Sequence, residues 1–200
     1  CIINSVMKMD YSFYPFISRM KYINRWALMR NTDEESLSQH SHEAAAISYA
    51  LAVIGNRRFS MNYNAERASL LGLFHDMPEI LTGDMPTPVK YYNSDIKTAY
   101  DKVEETACKK LISTLPEDMR EDFEPLFFKT DEDEALWKLV KAADKISALI
   151  KCVEERKAGN SEFSKAEEST REAIKKLNCR EADEFIKNFM KGYELTLDQL

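Results

Sequence analysis

His75 and Asp76 stand side by side at the end of an apolar helical run, Gly72-Leu73-Phe74, and Glu79 follows three residues after Asp76. An imidazole next to a carboxylate supplies mixed nitrogen and oxygen ligands for a divalent cation. A carboxylic acid about one turn further on is placed to handle a proton. A two-residue motif also arises by chance, and on its own the pair reads as a polar helix end facing water. The metal reading therefore needs further ligands from elsewhere in the chain.

The chain has three histidines, His40, His42 and His75. Ala44, Ile47, Leu51 and Ile54 recur at helical spacing. Position 40 falls on that same face, and His42 lies about 200° away from His40 around the helix. His40 is expected to point inward and His42 outward. An inward histidine is also commonly a core residue bonded to a carbonyl. Asp144 sits in Lys141-Ala142-Ala143-Asp144, four residues after Val140 and beside a second apolar stripe. A carboxylate there is costly unless it is paired or metal-bound, and a buried salt bridge is the alternative. The two alanines before it would let another element approach closely. Two imidazoles and two carboxylates from three helices can fill four positions around one divalent ion, leaving one or two for water and substrate. Such a set admits Mn, Fe, Co, Ni, Cu or Zn.

The elements that must position these groups are helical. Only 5 glycines and 6 prolines punctuate 200 residues, and no stretch alternates with period two. Residues 12–29 place Phe13, Phe16, Ile17, Met20, Ile23 and Ala27 on one stripe, predicting a first helix. Ser36 or Ser38 caps the helix of His40, which is expected to stop near Gly55-Asn56. Asn64 caps a third helix ending at His75. Residues 78–90, rich in proline, are expected to form an ordered loop with one helical turn. A long helix over 94–115 turns Ile96, Val103, Ala107 and Leu111 inward and ends at Pro116. A short helix near 117–128 follows. Thr130, or Asp131 with Glu134, caps a helix that carries Asp144 and ends at Ala158-Gly159-Asn160. Two charged amphipathic helices, 162–177 and 180–191, complete the chain.

A hydrophobic fraction of 44% in 200 residues suits one domain with a buried core. A net charge of −6 and a pI near 5.3 argue against a polymeric nucleic-acid partner. A small anionic ligand remains admissible, because a metal and one arginine reverse the field locally. Cys1, Cys108, Cys152 and Cys179 form no C-x-x-C pair and read as reduced thiols of a cytoplasmic protein. No run approaches the ~20 apolar residues of a membrane span. Met7 or Met9 is a plausible start, so residues 1–6 are expected to be an extension and 7–200 the folded domain.

The order His40, then His75-Asp76, then Asp144 resembles that of the HD-domain metal-dependent phosphohydrolases. Four stretches narrow the resemblance to the bacterial 5′-deoxynucleotidases of that superfamily: Ile23–Asn31 with its Arg25-Trp26 pair, Gln39-His40-Ser41, residues 75–91, and Lys141–Asp144. The resemblance runs from about residue 7 to the C-terminus. It implies an all-α, single-domain HD-type helical bundle with the metal site between helices. It further implies a homodimer that removes phosphate from deoxyribonucleoside 5′-monophosphates. By position, His40, His75, Asp76 and Asp144 match the ligands of one divalent transition metal. Glu79 matches the catalytic carboxylate, Asp76 also lies beside the nucleophile, and Arg25 matches the residue that orients phosphate. Trp26 and Asp84 match the sugar-recognition pair, and Asp84, Met85, Pro86 and Thr87 the substrate-binding loop.

Two positions depart from the family pattern. Gln39 stands where relatives often carry an acid, which leaves the tuning of His40 open. Ala27 stands where relatives often have proline. Without the resemblance, Glu79 and Arg25 read as surface residues and Trp26 as a packing residue of an amphipathic helix. Lys90, Lys129 and Lys138 are candidates for the site's surroundings, and Trp137 and the Tyr91-Tyr92 pair read as core or interface. Three rival readings are an HD-superfamily hydrolase of another nucleotide, a non-catalytic nucleotide-sensing dimer, and a purely structural helical module, the last disfavoured by two His and two Asp at converging positions. The single short domain and the Arg25-Trp26 motif disfavour the first. The intact ligand set and Glu79 disfavour the second.

Overall fold

Phe13–Ile17 (α1) opens the described chain and tightens into a 3-10 turn over Ser18–Tyr22. The computed structural model describes residues 11–90 and 92–199. The expectations for the extension at 1–6, for a domain start at 7, for Cys1 and for Tyr91 lie outside the described residues. The helix expected to reach residue 29 ends at Tyr22. Ile23 turns extended, and residues 23–36 double back as a loop. The two arms of this loop pair with each other, and its start pairs with the first residue of the next helix. Arg25 N–H donates to the Glu35 carbonyl at 2.9 Å and Leu37 N–H to that of Ile23 at 2.8 Å. Phe13 and Met20 reach the core as expected, but Ala27 is exposed.

Leu37–Arg58 (α2) is capped by Ser36, whose hydroxyl accepts the Gln39 N–H while the Gln39 side chain accepts the Ser36 N–H. The helix runs past Gly55 because that glycine serves packing, not termination. A Cβ there would lie 2.5 Å from the Tyr63 ring. Ala65–Phe74 (α3) is capped by Asn64, which accepts the Arg67 N–H. A Cβ on Gly72 would lie 2.7 Å from Ser48 Oγ and 3.0 Å from the Ala44 carbonyl of α2. Only glycine allows the two helices to come this close.

The stretch from 78 to 90 holds two short helical turns, Glu79–Thr82 (α4) and Thr87–Lys90 (α5), rather than one. Gly83, at φ 74°, separates them. Ser94–Ile112 (α6) starts at the Asn93 cap and buries Tyr100, Ala107, Cys108, Leu111 and Ile112. Val103 is 51% exposed, against expectation. The inward line passes one residue later, through Glu104, which bonds Lys90 at 2.8 Å. Arg120–Phe127 (α7) follows a 3-10 turn.

Glu134–Lys157 (α8) is the third helix of the site. Neither Thr130 nor an Asp131–Glu134 box caps it. A 3-10 turn over Asp131–Asp133 precedes it, and Asp133 is held by Arg67 at 2.6 Å. The helix ends before Gly159, at φ 86°. Ser164–Lys176 (α9) and Arg180–Phe189 (α10) close the bundle. Among the described residues there is no strand, only an isolated bridge between Asn24 and Ser36. The fold is all-α, as expected. Leu37, Leu51, Leu71, Leu139, Ile146 and Leu149 are fully buried between α2, α3 and α8. Cys108, Cys152 and Cys179 are buried free thiols.

One ion pair in this core holds the 23–36 loop in place. Lys151 bonds both Glu155 and the Asp33 carbonyl. Glu155 also accepts the N–H groups of Thr32 at 2.9 Å and Asp33 at 3.2 Å, and the Asn160 amide at 2.7 Å. Burial works against the charged form of Glu155. Those donors outweigh it and pull the carboxyl down to about 2.

A folded-state pKa below the unfolded one, ~4.3 for a glutamate, means stability that is complete above that value and lost as pH falls toward 2. Glu155→Ala should cost roughly 3–5 kcal/mol, because it leaves Lys151 buried without its carboxylate. In urea unfolding, the deficit of Glu155→Gln relative to wild type should shrink as pH drops from ~5 toward 2. A deficit that does not change with pH would show that the ionised carboxylate contributes nothing.

Candidate metal centre

Three helices and a turn bring four donors together. His40 sits in the first turn of α2, just beyond the Ser36 cap. His75 closes α3, and Asp76 follows in the turn that leads to Pro78. Asp144 lies midway along α8, after the buried Ala142 and Ala143. The small residues on both partners, Gly72 in α3 and these alanines in α8, leave room for the groups to meet.

His40 Nε2 lies 3.3 Å from His75 Nε2, 3.3 Å from Asp76 Oδ2 and 3.4 Å from Asp144 Oδ1. His75 Nε2 lies 3.1 Å from Asp76 Oδ2. One ligand atom from each of the four falls within 4.8 Å of the others. His40 is fully buried, and His42 is exposed, as the helical spacing predicts.

The donor chemistry fits a divalent transition ion. His75 Nδ1 donates to the Gly72 carbonyl at 2.7 Å, so the neutral ring presents a lone pair at Nε2, toward the cluster. Burial would push Asp76 and Asp144 up. For Asp76 the positive charge that His75 and His40 carry when protonated outweighs burial, and for Asp144 that of His40 and Lys145 does so; a bound cation would supply this charge once the rings are neutral ligands. Both carboxylates are therefore held ionised, the form that binds metal. Two imidazole nitrogens and two carboxylate oxygens in one small volume make a mixed site of the kind such ions accept.

Arg25 and Trp26 reach this centre from the 23–36 loop, not from a helix. Arg25 Nη2 is 3.8 Å from Asp144 Oδ1, and Nη1 is 3.1 Å from Glu35 Oε2. Burial alone would lower the Arg25 pKa, but Glu35, Asp144 and Asp76 raise it overall, so the guanidinium stays charged. Trp26 has a φ of 59°, which is rare for a large side chain and costs of order 1–3 kcal/mol. Several contacts hold it there. Its indole N–H donates to Glu35 Oε2 at 2.8 Å, its carbonyl accepts from Met29 N–H at 2.9 Å, and its ring packs on Phe163.

Glu35 thus anchors both Arg25 and Trp26, and the sequence reading missed it. It sits in a loop with no periodicity to mark it, and its partners are known only once the loop folds back.

Glu79 opens α4 and is 7% exposed. Burial first, then the charges of Asp76 and Asp84, push its carboxyl up to about 9 against the pull of Lys90 and Arg25. Its Oε2 is buried without a hydrogen-bond partner. Asp84 is half-buried. Burial raises it, while Arg25 and the Trp26 backbone N–H pull the other way. Met85 and Pro86 are half-buried beside it, whereas the Thr87 side chain lies outside those described.

Lys90 lies near enough to act on Glu79, but Lys129 and Lys138 are engaged elsewhere. Lys129 stands over the Trp137 ring, and Lys138 donates to the Asn178 carbonyl. Trp137 packs against the core. Tyr92 is 77% exposed and is not a core residue.

Comparison with known proteins places this geometry in a family. The family described as 5′-deoxynucleotidase YfbR-like matches residues 12–193. A 5′-deoxynucleotidase of Photorhabdus temperata is 44% identical over 188 residues, 94% of this chain and 95% of the relative. One from Vibrio atlanticus is 43% identical over 94% of this chain and 97% of its own.

Among solved structures, an HD-domain phosphohydrolase from Listeria innocua superposes with a TM-score of 0.79 at 21% identity, covering 91% of this chain and 88% of that one. A cyanophage S-2L HD phosphohydrolase, bound to dA and one catalytic Zn²⁺ ion, superposes with a TM-score of 0.62 at 18% identity, covering 92% and 96%. These two share the fold. The match along nearly all of the sequence, together with that fold, makes this chain a member of the YfbR-like 5′-deoxynucleotidase family.

Proposed function

We propose that this chain carries out its family's 5′-deoxynucleotidase reaction, a phosphoric monoester hydrolysis, on deoxyribonucleoside 5′-monophosphates, with one divalent transition metal held by His40, His75, Asp76 and Asp144. The observation that carries this reading is the convergence of those four donors within 4.8 Å, with Arg25 alongside. The relatives' names support the reaction, and the cyanophage structure supports a single metal in this fold. The donor set is open to Co, Mn, Zn, Cu, Ni or Fe.

When bound, the metal supplies Lewis-acid polarisation of a phosphate oxygen and a water acidic enough to attack at neutral pH. The protein's residues do the rest. Arg25 grips the phosphate through paired N–H groups, with Glu35 fixing the plane of the guanidinium. Asp76 would hold the metal and, by its family position, would also lie beside the attacking water. As the bond from phosphorus to the sugar 5′ oxygen breaks, that oxygen needs a proton. Glu79, buried beside Asp76 and Asp84, is the carboxyl placed to handle protons here, as acid toward that oxygen or as base toward the water. Trp26 forms a wall against the sugar and Asp84 accepts from its 3′-hydroxyl, with Met85, Pro86 and Thr87 shaping the loop around them.

The family resemblance further implies a homodimer, the unpaired cysteines suit a cytoplasmic protein, and the net charge of −6 argues against a polymeric nucleic-acid partner. Among the described residues no helix is long and apolar enough to cross a membrane.

Metal content and phosphate release can be followed together. Asp144→Ala should lose both, and His42→Ala neither. Metal retained at full occupancy in Asp144→Ala would remove Asp144 from the ligand set. Glu79→Ala should keep metal and substrate affinity while kcat falls by ~10²–10⁴-fold. Normal turnover would exclude Glu79 from proton transfer.

The sugar wall is tested with a matched pair, dAMP and AMP. An apolar pocket discriminates an added hydroxyl by only ~10²-fold, whereas a rigid wall that would have to move does better. Trp26→Ala should narrow the ratio of the two kcat/KM values, mainly by admitting AMP, with metal content unchanged. A fixed ratio with both values reduced would make Trp26 a packing residue.

A further inference from the structure

His40 has a second ring nitrogen, and its surroundings are specific. Nδ1 lies 2.9 Å from Ser147 Oγ, and the Ser147 hydroxyl in turn donates to Glu43 Oε2 at 2.5 Å. Both His40 and Ser147 are fully buried. Ser147 lies one turn beyond Asp144 on α8, and Glu43 one turn beyond His40 on α2, so the chain of bonds ties the two helices together. A hydroxyl has one hydrogen. Since that hydrogen goes to the Glu43 carboxylate, the oxygen must accept from His40, and Nδ1 carries the N–H. The neutral ring is then left with its lone pair on Nε2, the nitrogen that faces His75, Asp76 and Asp144. Glu35 is the other acid near Nδ1, but its Oε1 is 4.0 Å away, and its Oε2 is occupied by Arg25 and Trp26. Gln39, the residue next to His40, is turned to the Ser36 cap and does not reach the ring.

We propose that Ser147 and Glu43 form a hydrogen-bonded relay that sets the tautomer, orientation and donor strength of His40 as a metal ligand, replacing through a hydroxyl the acid that Gln39 does not provide. Both are positioning residues and neither touches the substrate. The proposal rests on the metal reading given above. A histidine ligand whose second nitrogen donates toward a carboxylate is fixed in its ring plane and is the stronger donor, and loss of such a partner typically costs 10–100-fold in metal affinity. In Ser147→Ala the Nδ1–H is buried without an acceptor, and the ring can turn or change tautomer. In Ser147→Thr the hydroxyl is kept.

The experiment is a Co²⁺ titration of the metal-free full chain, read by the visible absorption of the bound ion and by competition with a chelator. Thermal unfolding of the metal-free protein serves as a check on the fold. Ser147→Ala should bind Co²⁺ about 10–100-fold more weakly with an altered spectrum, while Ser147→Thr stays within about twofold of wild type. Glu43→Gln should weaken binding in the same direction. Wild-type affinity and spectrum in Ser147→Ala would overturn the relay, and wild-type affinity in Glu43→Gln would overturn the carboxylate's part in it. If wild type itself takes up no Co²⁺, or Asp144→Ala binds it as wild type does, the four-ligand reading fails, a result distinct from failure of the relay alone.

Discussion

The site depends on how closely two helices can approach. α2 and α3 meet at Gly72, where even a methyl group would strike Ser48 and the backbone of Ala44 and Ala45. This contact sets the distance between the first turn of α2 and the last turn of α3, and hence between His40 and His75. α8 completes the arrangement with Ala142 and Ala143, both fully buried, just before Asp144. Interiors pack at near-crystalline density, so a larger residue at these positions would move a whole helix and separate the donors. The Gly72 carbonyl also accepts from His75 Nδ1, so the residue that permits the approach also orients the ring it brings in.

A second constraint is electrostatic. Asp76, Asp144, Glu79, Asp84, Glu35 and Glu43 crowd one small region of the bundle. Burial disfavours the charge on each carboxylate unless a partner is at hand. Where imidazoles and Lys145 are close, as at Asp76 and Asp144, the carboxylates stay ionised. Where burial and like charges dominate, as at Glu79, the proton is retained. The same physics therefore separates groups suited to holding a cation from one suited to giving up a proton.

The loop over 23–36 shows how a strained conformation is kept. Trp26 at positive φ is unfavourable in isolation. Glu35 grips its indole, Phe163 packs against its ring, and the Lys151–Glu155 pair anchors Thr32 and Asp33 from the core. A loop tied at several points can present Arg25 and Trp26 as a fixed surface, which a freely moving segment of this length could not.

Much of this was legible in the residues themselves. Helical periodicity placed His40 inward and His42 outward, because 3.6 residues per turn fixes which positions share a face whatever surrounds them. The Asn64 cap, and Ser36 as one of two candidates with Ser38, were readable for the same local reason: a cap satisfies backbone N–H groups two or three residues away. The donor order His40, His75-Asp76, Asp144 and the Arg25-Trp26 pair carried the family. Local pattern failed where long-range contacts overrode it. The stripe that promised helix to residue 29 was broken by pairing with the approach to α2, and Val103 turned outward because Glu104 took the inward line to reach Lys90. Glu35, Ser147 and Glu43 had no periodicity or motif to mark them, since each matters only for a partner on another element. Tertiary structure alone determined which polar atoms face each other, because hydrogen-bond partners far apart in sequence are chosen by how helices pack, and sequence spacing does not encode that distance.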